Sequence, residues 1–251
     1  MPTCFTVDVE DWYDGIAELG HPITPVATGP SGLESLSELL AATPAPAGSR
    51  LTLFVVGKYA AQVRGPLREL AAAGHELASH GPDHGWPPED PSQLEDWLRR
   101  GREMVEDVAE RPVVGFRSPR FDVPASMGLD KYREILARAG FSYVSDRRSV
   151  GPRSPVKELS VFRWKGLPLG GGSYQRLLPK ASLKPLLQRT HQPAVVYYHS
   201  YDFGAVLPSP WSTWSPTVLK QVIGRSRIPT IFTYLLQSVG SVSCQEAAHG
   251  V

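Results

Sequence analysis

The sequence predicts an α/β fold built on a parallel β-sheet, because short β-rich runs alternate with helical patterns along the chain. Each run is bounded by polar residues or by Gly and Pro, as strands commonly are. The strand candidates are residues 3–8, 51–56, 113–117, 141–144, 194–198 and 229–232. Two of these runs end at titratable residues, Asp8 and His199. Because ligands gather at the carboxyl ends of parallel strands, we expect a functional site there.

Helical patterns fill the intervals between the strand candidates. The predicted helices are residues 31–42, 59–73, 91–110, 126–139 and 215–226. The first repeats leucine at helical spacing, and the last opens with Ser215 and Pro216, which suit an N-cap and a first helical turn. Residues 43–49 are predicted to form a loop, and residues 237–251 a weakly ordered tail after a domain over 1–236. Periodicity alone leaves open whether the sheet is flat or closed into a barrel.

Composition excludes several classes of function. The 251 residues can bury a full core, and 26 basic against 25 acidic residues give a net charge of +1. Bulk electrostatic attraction to nucleic acid or to an anionic membrane is therefore not expected. No run approaches the ~18 apolar residues of a membrane helix, so no membrane segment is predicted. With no leader pattern before Asp8, the sequence predicts a cytoplasmic protein.

A metal site is predicted from carboxylates and histidines that lie far apart in the chain. Asp8, Glu10 and Asp11 follow one apolar run, and His80 and His84 flank a second turn. Two imidazoles and one carboxylate can bind one divalent ion, for which zinc is the predicted metal, and leave positions open for water and substrate. The four-residue spacing of the histidines is interrupted by Gly81-Pro82, which indicates a strand end and turn rather than a zinc-binding helix. His75, at the start of the same strand, is predicted to be structural.

Arg117 and His199 have the chemistry to assist hydrolysis at such a site. Arg117 ends an apolar strand candidate, and beside Asp8 it would keep that carboxylate oriented. The pKa of a histidine is ordinarily near neutrality, which suits His199 to protonate a departing amine.

Taken in order along the chain, these segments resemble the motifs of the polysaccharide deacetylase (NodB-homology) family of carbohydrate N- and O-deacetylases. The branch associated with bacterial exopolysaccharide export clusters is the most similar. The segments that carry the resemblance are residues 6–12, 54–57, 74–84, 115–121, 169–174, 176–179 and 198–199. The resemblance implies a distorted (β/α)7-type barrel with Asp8 as the catalytic base. It also implies that Arg117 pairs with this base and that Glu10 or Asp11 is the third metal ligand.

The chain departs from the family pattern at some positions. The family ligand after the base is usually an aspartate, so Glu10 is a departure that leaves Asp11 as a competitor. Ser200 and Tyr201 stand where relatives often have proline or tryptophan. The family's further aspartate aligns with Val144, with Asp146 nearby, which leaves open how His199 is oriented.

Substrate contacts are predicted from the loops around these motifs. Pro119, Phe121, Tyr174 and Tyr201 are the predicted substrate-binding residues. One or two of the loop tryptophans, Trp86, Trp164, Trp211 and Trp214, are expected in the cleft because indole faces stack on sugar rings. The glycine run at 170–172 lacks a lysine-serine signature and is interpreted as a backbone wall of the sugar pocket rather than a nucleotide site.

The predicted function is removal of an N-acetyl group from an amino sugar by a metal-dependent hydrolase. A small glycoconjugate or biosynthetic intermediate is favoured over a polymer as substrate. The alternatives are N- or O-deacetylation of an oligosaccharide or polysaccharide and hydrolysis of a non-sugar amide. More remote is a non-catalytic carbohydrate-binding protein, which would not need an acid, a base and a metal site together.

Overall fold

Seven parallel strands form the sheet at the centre of the protein. The computed structural model describes residues 2–17, 30–146, 154–190, 192–204 and 222–250. Within these residues the strands are β1 Thr3–Val9, β2 Thr52–Val55, β3 Glu76–Ser79, β4 Gly115–Phe116, β5 Tyr143–Val144, β6 Lys157–Glu158 and β7 Ala194–His199. They are ordered β6-β5-β4-β3-β2-β1-β7, and every pairing is parallel.

The sheet curls toward closure, because the chain that leaves β6 at one edge reaches β7 at the other. Val161 forms a parallel bridge with Val195, and Gly171 forms another with Tyr197. A Cβ atom at Gly170 would lie 2.6 Å from Val161 and 2.8 Å from the Val195 carbonyl, so the glycine run 170–172 packs against β7. The predicted distorted (β/α)7-type barrel is confirmed, and the interpretation of the glycine run as a wall of the sugar pocket stays a prediction.

Strand β1 shows how the sequence alternates between the barrel interior and the outer helices. Its seven residues are all buried. Phe5, Val7 and Val9 belong to the large outer core, whereas Cys4 belongs to the cluster inside the barrel. Because successive side chains of a strand point to opposite faces, Thr6 and Asp8 share the inner face with Cys4. Asp8 therefore lies at the carboxyl end of the barrel interior.

Ten helices surround the strands within the described residues. They are α1 Trp12–Ala17, α2 Leu33–Ala42, α3 Gly57–Ala60, α4 Arg64–Ala72, α5 Pro91–Ala109, α6 Leu129–Arg138, α7 Gly172–Gln175, α8 Lys180–Gln188, α9 Ile228–Val239 and α10 Cys244–His249. Most predicted helices are present, although the one expected over 59–73 is divided into α3 and α4. Asp90 begins α5 by accepting the Ser92 and Gln93 amides. Most of the helix predicted over 215–226 lies outside the described residues.

The strand predicted over residues 229–232 is wrong, because this segment is part of helix α9. Ile228, Ile231, Phe232 and Leu235 are buried at helical spacing, and Pro229 occupies the first turn. The β-branched composition suggested a strand, but the apolar stripe that continues to Leu236 is helical. The strand predicted between His75 and His80 is present as β3, whereas β6 was not predicted, because its two residues are too few to have a recognisable pattern.

Residues 240–250 are ordered against the barrel, contrary to the weakly ordered tail predicted over 237–251. Ser243 caps α10 by accepting the Glu246 amide. The Cys244 amide donates to Thr52 Oγ1 at 2.8 Å, and the Gln245 amide donates to the Glu76 carboxylate at 3.0 Å. Cys244 is fully buried in the same cluster as Cys4. Helix α10 therefore covers the barrel at the amino ends of its strands, opposite Asp8.

No helix among the described residues combines the length and the apolar character needed to cross a membrane.

Candidate active site at the carboxyl ends of the strands

Asp8 and Arg117 form a buried ion pair inside the barrel. Arg117 Nη1 donates to Asp8 Oδ1 at 2.6 Å and to Thr6 Oγ1 at 2.9 Å, and Nη2 donates to Ser145 Oγ at 2.8 Å. The guanidinium carbon lies 4.0 Å from the centre of the Phe54 ring. These contacts hold the Asp8 carboxylate in one orientation. They also fix Arg117, whose two terminal nitrogens both have partners.

Glu10, His80 and His84 form a buried cluster whose ligand atoms all lie within 4.8 Å of one another. His84 Nε2 is 2.7 Å and His80 Nε2 is 3.5 Å from Glu10 Oε2. His80 Nδ1 is 2.8 Å from the Arg117 carbonyl oxygen, an interaction that leaves Nε2 as the nitrogen facing Glu10. The predicted ligands come from two segments, the end of β1 and the turn after β3, and the donor set suits a divalent ion.

Asp11, the competing carboxylate, lies elsewhere. Its Oδ1 accepts the Tyr13 amide at 3.0 Å, and its carbonyl oxygen accepts the Asp14 amide at 3.0 Å. Asp11 thus occupies the position that begins helix α1. The structure groups Glu10, and not Asp11, with the two histidines.

The turn that carries the two histidines is held by close backbone packing. Gly57 and Lys58 in α3 donate their amides to the carbonyl oxygens of Gly81 and Pro82, at 2.8 and 2.7 Å. Gly81 has φ +81°, and a Cβ atom there would lie 2.5 Å from the Trp97 ring. A Cβ atom at Gly101 in α5 would lie 2.7 Å from the Gly81 carbonyl carbon. Glycine is therefore required on both sides of this contact.

Burial and neighbouring charges shift the pKa values of Glu10 and His84 in opposite directions. Burial of Glu10 opposes its ionisation, but the charge of His84 and hydrogen bonds from both cluster histidines outweigh burial and hold its pKa well below the usual range. Burial likewise opposes protonation of His84, and the Glu10 carboxylate outweighs it, so the pKa of His84 is raised. The cluster thus keeps Glu10 as a carboxylate, the form that binds metal.

His199 follows β7 and lies beside the same cluster. Its Nε2 is 3.8 Å from Glu10 Oε1, and in the strand register its Cα is paired with that of Asp8. Its ring stacks on Tyr201 with centroids 4.7 Å apart.

Asp202 holds His199 from the other side, a contact that the sequence reasoning missed. Asp202 Oδ2 accepts the His199 backbone amide at 2.9 Å and lies 3.4 Å from His199 Nδ1. Burial opposes protonation of His199, but the Asp202 hydrogen bond and the charges of Glu10, Asp202 and Asp8 outweigh burial and raise its pKa to about 9. The usable signal was an aspartate three residues after the histidine, on the turn that follows the strand.

Asp146, which lies near the position of the family's aspartate, has a different partner. Its Oδ2 is 3.2 Å from Nη2 of the fully buried Arg133, which also contacts Glu158. Its neighbour Ser145 is the residue that accepts from Arg117. Asp146 therefore belongs to a structural ion-pair cluster behind the site.

The predicted substrate-binding residues differ in exposure. Pro119 is buried, and Phe121 is half-buried against Tyr197, with ring centroids 5.1 Å apart. The Phe121 amide donates to the Ser118 carbonyl oxygen. Tyr174 is exposed, whereas Tyr201 is buried beneath His199 and supports its ring rather than forming an open aromatic wall.

The remaining sequence candidates divide into packed and exposed residues. His75 is buried and its Nδ1 accepts the Leu51 amide at 3.1 Å, as expected of a structural histidine. Trp164 packs against the core, and Trp86 is exposed. Trp211 and Trp214 lie outside the described residues.

The matched family model covers the first part of the barrel. Residues 31–144 match the model described as polysaccharide deacetylase. No curated protein matches the sequence.

Several solved structures share the fold along almost the whole chain. A candidate polysaccharide deacetylase from Mycobacterium smegmatis is 23% identical with a TM-score of 0.65, and the match covers 99% of this chain and 89% of that one. An allantoinase is 14% identical with a TM-score of 0.62, covering 98% and 88%. A carbohydrate esterase family 4 pseudoenzyme from Bacillus anthracis is 13% identical with a TM-score of 0.55, covering 98% and 65%.

These structures establish a shared fold, and their descriptions differ in chemistry, so residues rather than fold must carry a functional argument. The export-associated branch stays a prediction. The match over residues 31–144 shows that this part of the chain is similar to the polysaccharide deacetylase family, and the sheet topology is the one expected from that resemblance.

Proposed function

We propose that this protein is a metal-dependent hydrolase that removes an N-acetyl group from an amino sugar. The observation that carries the proposal is that one cluster and two pairs of polar side chains lie at the same end of the barrel. Glu10, His80 and His84 form a ligand set, Arg117 orients Asp8, and Asp202 contacts His199. A non-catalytic binding protein has no need of this combination.

The proposed metal ligands are Glu10, His80 and His84, with zinc as the preferred ion. Nitrogen and carboxylate ligands suit zinc, and three protein ligands leave a position open for catalysis. The clustering and burial of the three side chains, and the contact of His80 Nδ1 with Arg117, are consistent with this role. When bound, the ion would act as a Lewis acid that polarises the acetyl carbonyl and lowers the pKa of a water molecule.

Asp8 is the proposed general base. Arg117 contacts Oδ1 of this carboxylate, which leaves the second oxygen to accept a proton from the attacking water. Arg117 is a positioning residue in this scheme, because Thr6 and Ser145 fix its guanidinium behind Asp8.

His199 is the proposed general acid. Its raised pKa keeps the imidazole protonated near neutral pH, so it can give a proton to the departing amine nitrogen. Asp202 orients the ring through Nδ1 and leaves Nε2 directed toward the cluster. Acetate and a free amino sugar are the products.

This function is tested by measuring the acetate released and, in the same reaction, the loss of one acetyl group from the mass of the substrate. The substrates are N-acetylglucosamine derivatives, and the products are measured enzymatically and by mass spectrometry. We expect release that stops on chelation and returns with Zn²⁺, while Asp8→Asn binds metal but loses roughly 10²–10⁴ in rate. Turnover that is insensitive both to chelation and to Asp8→Asn would rule out the proposal.

The preferred substrate is proposed to be a small N-acetylated glycoconjugate. Glu10, His80 and His84 are buried, which favours a substrate that inserts its acetamido group over a polymer lying across an open groove. The values of kcat/KM for a monosaccharide conjugate and for an acetylated tetramer are compared. Values within a few-fold are expected, and a steep rise with chain length would show that the polymer is the substrate.

A further inference from the structure

Trp86 presents an exposed indole close to the proposed metal ligands. It follows His84 by two residues, so their Cα atoms are no more than roughly 7 Å apart. Its residue surface is 64% exposed, whereas His84 is 3% exposed. A large, accessible aromatic side chain therefore lies two residues along the chain from one of the buried ligands.

Arg120 holds the indole and connects it to the ligand turn. Its guanidinium carbon lies 3.9 Å from the centre of the Trp86 ring, a close cation–π contact. Arg120 Nη1 donates to the His84 carbonyl oxygen at 3.0 Å, and Nε donates to Asp122 at 3.1 Å. The guanidinium therefore covers part of the indole and is itself fixed in place.

The backbone on both sides is shaped for this contact. Arg120 and Phe121 have φ values of +56° and +60°, a left-handed conformation that residues other than glycine adopt rarely. Strain of this kind is concentrated at functional sites. On the other side, Asp83 Oδ1 accepts the Gly85 amide at 2.9 Å, and a Cβ atom at Gly85 would lie 2.7 Å from this oxygen. Trp86 is outside both hydrophobic clusters, so core packing does not account for its position.

We infer that the Trp86 indole, backed by Arg120, stacks on a pyranose ring of the substrate and sets the affinity for sugar. The inference rests on the proposed function for the identity of the ligand. The C–H face of a pyranose is complementary to the electron-rich face of an indole. The neighbouring side chains of Asp83, Arg120 and Asp122 are charged. A single indole in such surroundings is far smaller than the ~800 Å² that a protein partner needs on each side.

Conservative variants of Trp86 test stacking separately from apolar bulk. Trp86→Phe retains an aromatic face, and Trp86→Leu retains apolar surface without one. Binding of N,N′-diacetylchitobiose, a β-linked dimer of N-acetylglucosamine, is measured by calorimetry in the zinc-loaded protein carrying Asp8→Asn. We expect Trp86→Leu to weaken binding about tenfold and Trp86→Phe to weaken it no more than about threefold. Equal affinity in all three proteins would overturn the inference.

Two further readouts separate this inference from the proposed function. In proteins with Asp8 intact, Trp86→Leu should raise KM for the same dimer while kcat and zinc content stay unchanged. Hydrolysis of 4-nitrophenyl acetate, which has no sugar ring, should also be unchanged. Turnover of the dimer with an unaltered KM in Trp86→Leu would reject stacking of the sugar on Trp86 and leave the deacetylase function intact. Dimer binding that depends on Trp86 without any turnover would reject only the deacetylase function.

Discussion

At the residue scale, four of the buried aspartates in the described residues are distinguished by their partners. Asp8 pairs with Arg117, Asp11 begins helix α1, Asp146 pairs with Arg133, and Asp202 contacts His199. Each carboxylate is satisfied by a different donor, so their replacement should affect different properties. The site therefore offers matched variants that separate metal binding, proton transfer and stability.

The third metal ligand can be identified by measuring bound zinc in two variants. Glu10→Ala should lower zinc affinity by at least about tenfold, because the only carboxylate in the described cluster is removed. Asp11→Ala should keep zinc and lose about 1 kcal/mol of unfolding free energy with its helix cap. Zinc loss in Asp11→Ala with full retention in Glu10→Ala would reverse the assignment.

Replacement of Asp202 should impair His199, the proposed general acid. Asp202→Asn removes the charge that helps to hold the pKa of His199 at about 9. Since the acid must be protonated, the loss of kcat at high pH should begin at a lower pH in the variant. Amide hydrolysis should fall by about 10-fold or more, and hydrolysis of an ester with a good leaving group should fall less.

Asp146→Asn is the matched control for this change. It removes a buried carboxylate paired with Arg133 and should lower the unfolding free energy, because the buried Arg133 loses one of its two carboxylate partners and keeps only Glu158. The pH profile of kcat should keep its shape. A shifted profile in Asp146→Asn, with none in Asp202→Asn, would contradict the role assigned to Asp202.

At the element scale, the ligand turn depends on contact between the backbones of three elements. Residues 80–84 follow β3 and pass between the start of α3 and the middle of α5. Gly101 weakens α5 as a helix, but it allows α5 to approach Gly81 and Pro82 closely. Gly101 thus lowers the intrinsic stability of α5 at the position where the helix packs against the turn that carries the histidines.

Gly101→Ala tests this packing, with Gly65→Ala in α4 as the control. An added Cβ at Gly101 meets backbone at 2.7 Å, whereas one at Gly65 has nothing within 4 Å outside the adjoining chain. Gly101→Ala should lose about 1–3 kcal/mol of unfolding free energy and bind zinc more weakly. Gly65→Ala, just before Pro66, should change the unfolding free energy by no more than about 1 kcal/mol and leave zinc binding unchanged. Urea unfolding and zinc titration measure both effects, and a gain in stability at Gly101 would contradict the packing argument.

The C-terminal segment makes a second element-scale prediction. Ser241 Oγ accepts the Phe5 amide at 3.0 Å and donates to the Arg50 carbonyl oxygen at 2.6 Å. Ser241→Ala leaves a buried amide without its acceptor and should cost about 1–3 kcal/mol of unfolding free energy. Denaturant unfolding with unchanged zinc affinity is the expected result, since the segment covers the end of the barrel opposite Asp8. A change below the error of the measurement would mean that the segment contributes little to stability.

At the scale of the whole molecule, His75 should make folding stability depend on pH. Burial, assisted by the charge of Arg50, lowers its pKa from 6.5 to about 4. The unfolded chain therefore binds a proton at a pH where the folded protein does not. The stabilisation is fully present above about pH 6.5 and is lost as pH falls toward 4, by up to about 1.4 kcal/mol per pH unit.

Unfolding free energies of the wild type and of His75→Asn, measured at several pH values, isolate this contribution. The asparagine oxygen can still accept the Leu51 amide, so the fold should persist. Because all other groups titrate equally in both proteins, the difference between their curves reports on position 75. We expect the wild type to lose more stability between pH 6.5 and 4, and parallel curves would contradict the shift.

The sequence determined the parallel α/β architecture and most of the chemistry at the strand ends. Regular alternation of strands and helices is a local property, and the inner face of β1 already places Asp8 at the carboxyl end of the barrel. The approach of His80, His84, Arg117 and His199 to one edge followed from parallel topology, because strands pointing in one direction bring their last residues together.

Contacts between distant segments were decided only by the tertiary structure. Whether Glu10 or Asp11 joins the histidines depends on which one begins helix α1, and the role of Asp202 depends on the turn that folds it back onto His199. The start of helix α9 has the local composition of a strand. Residues 240–250 have the composition of a disordered tail, but Thr52 and Glu76 accept hydrogen bonds from two of their amides. For residues 240–250 the physical reason is that the partners of their polar groups are supplied by chain far away in sequence. For Asp11 and Asp202 the partners lie two and three residues away, and the backbone turn that brings each pair together is set by the fold.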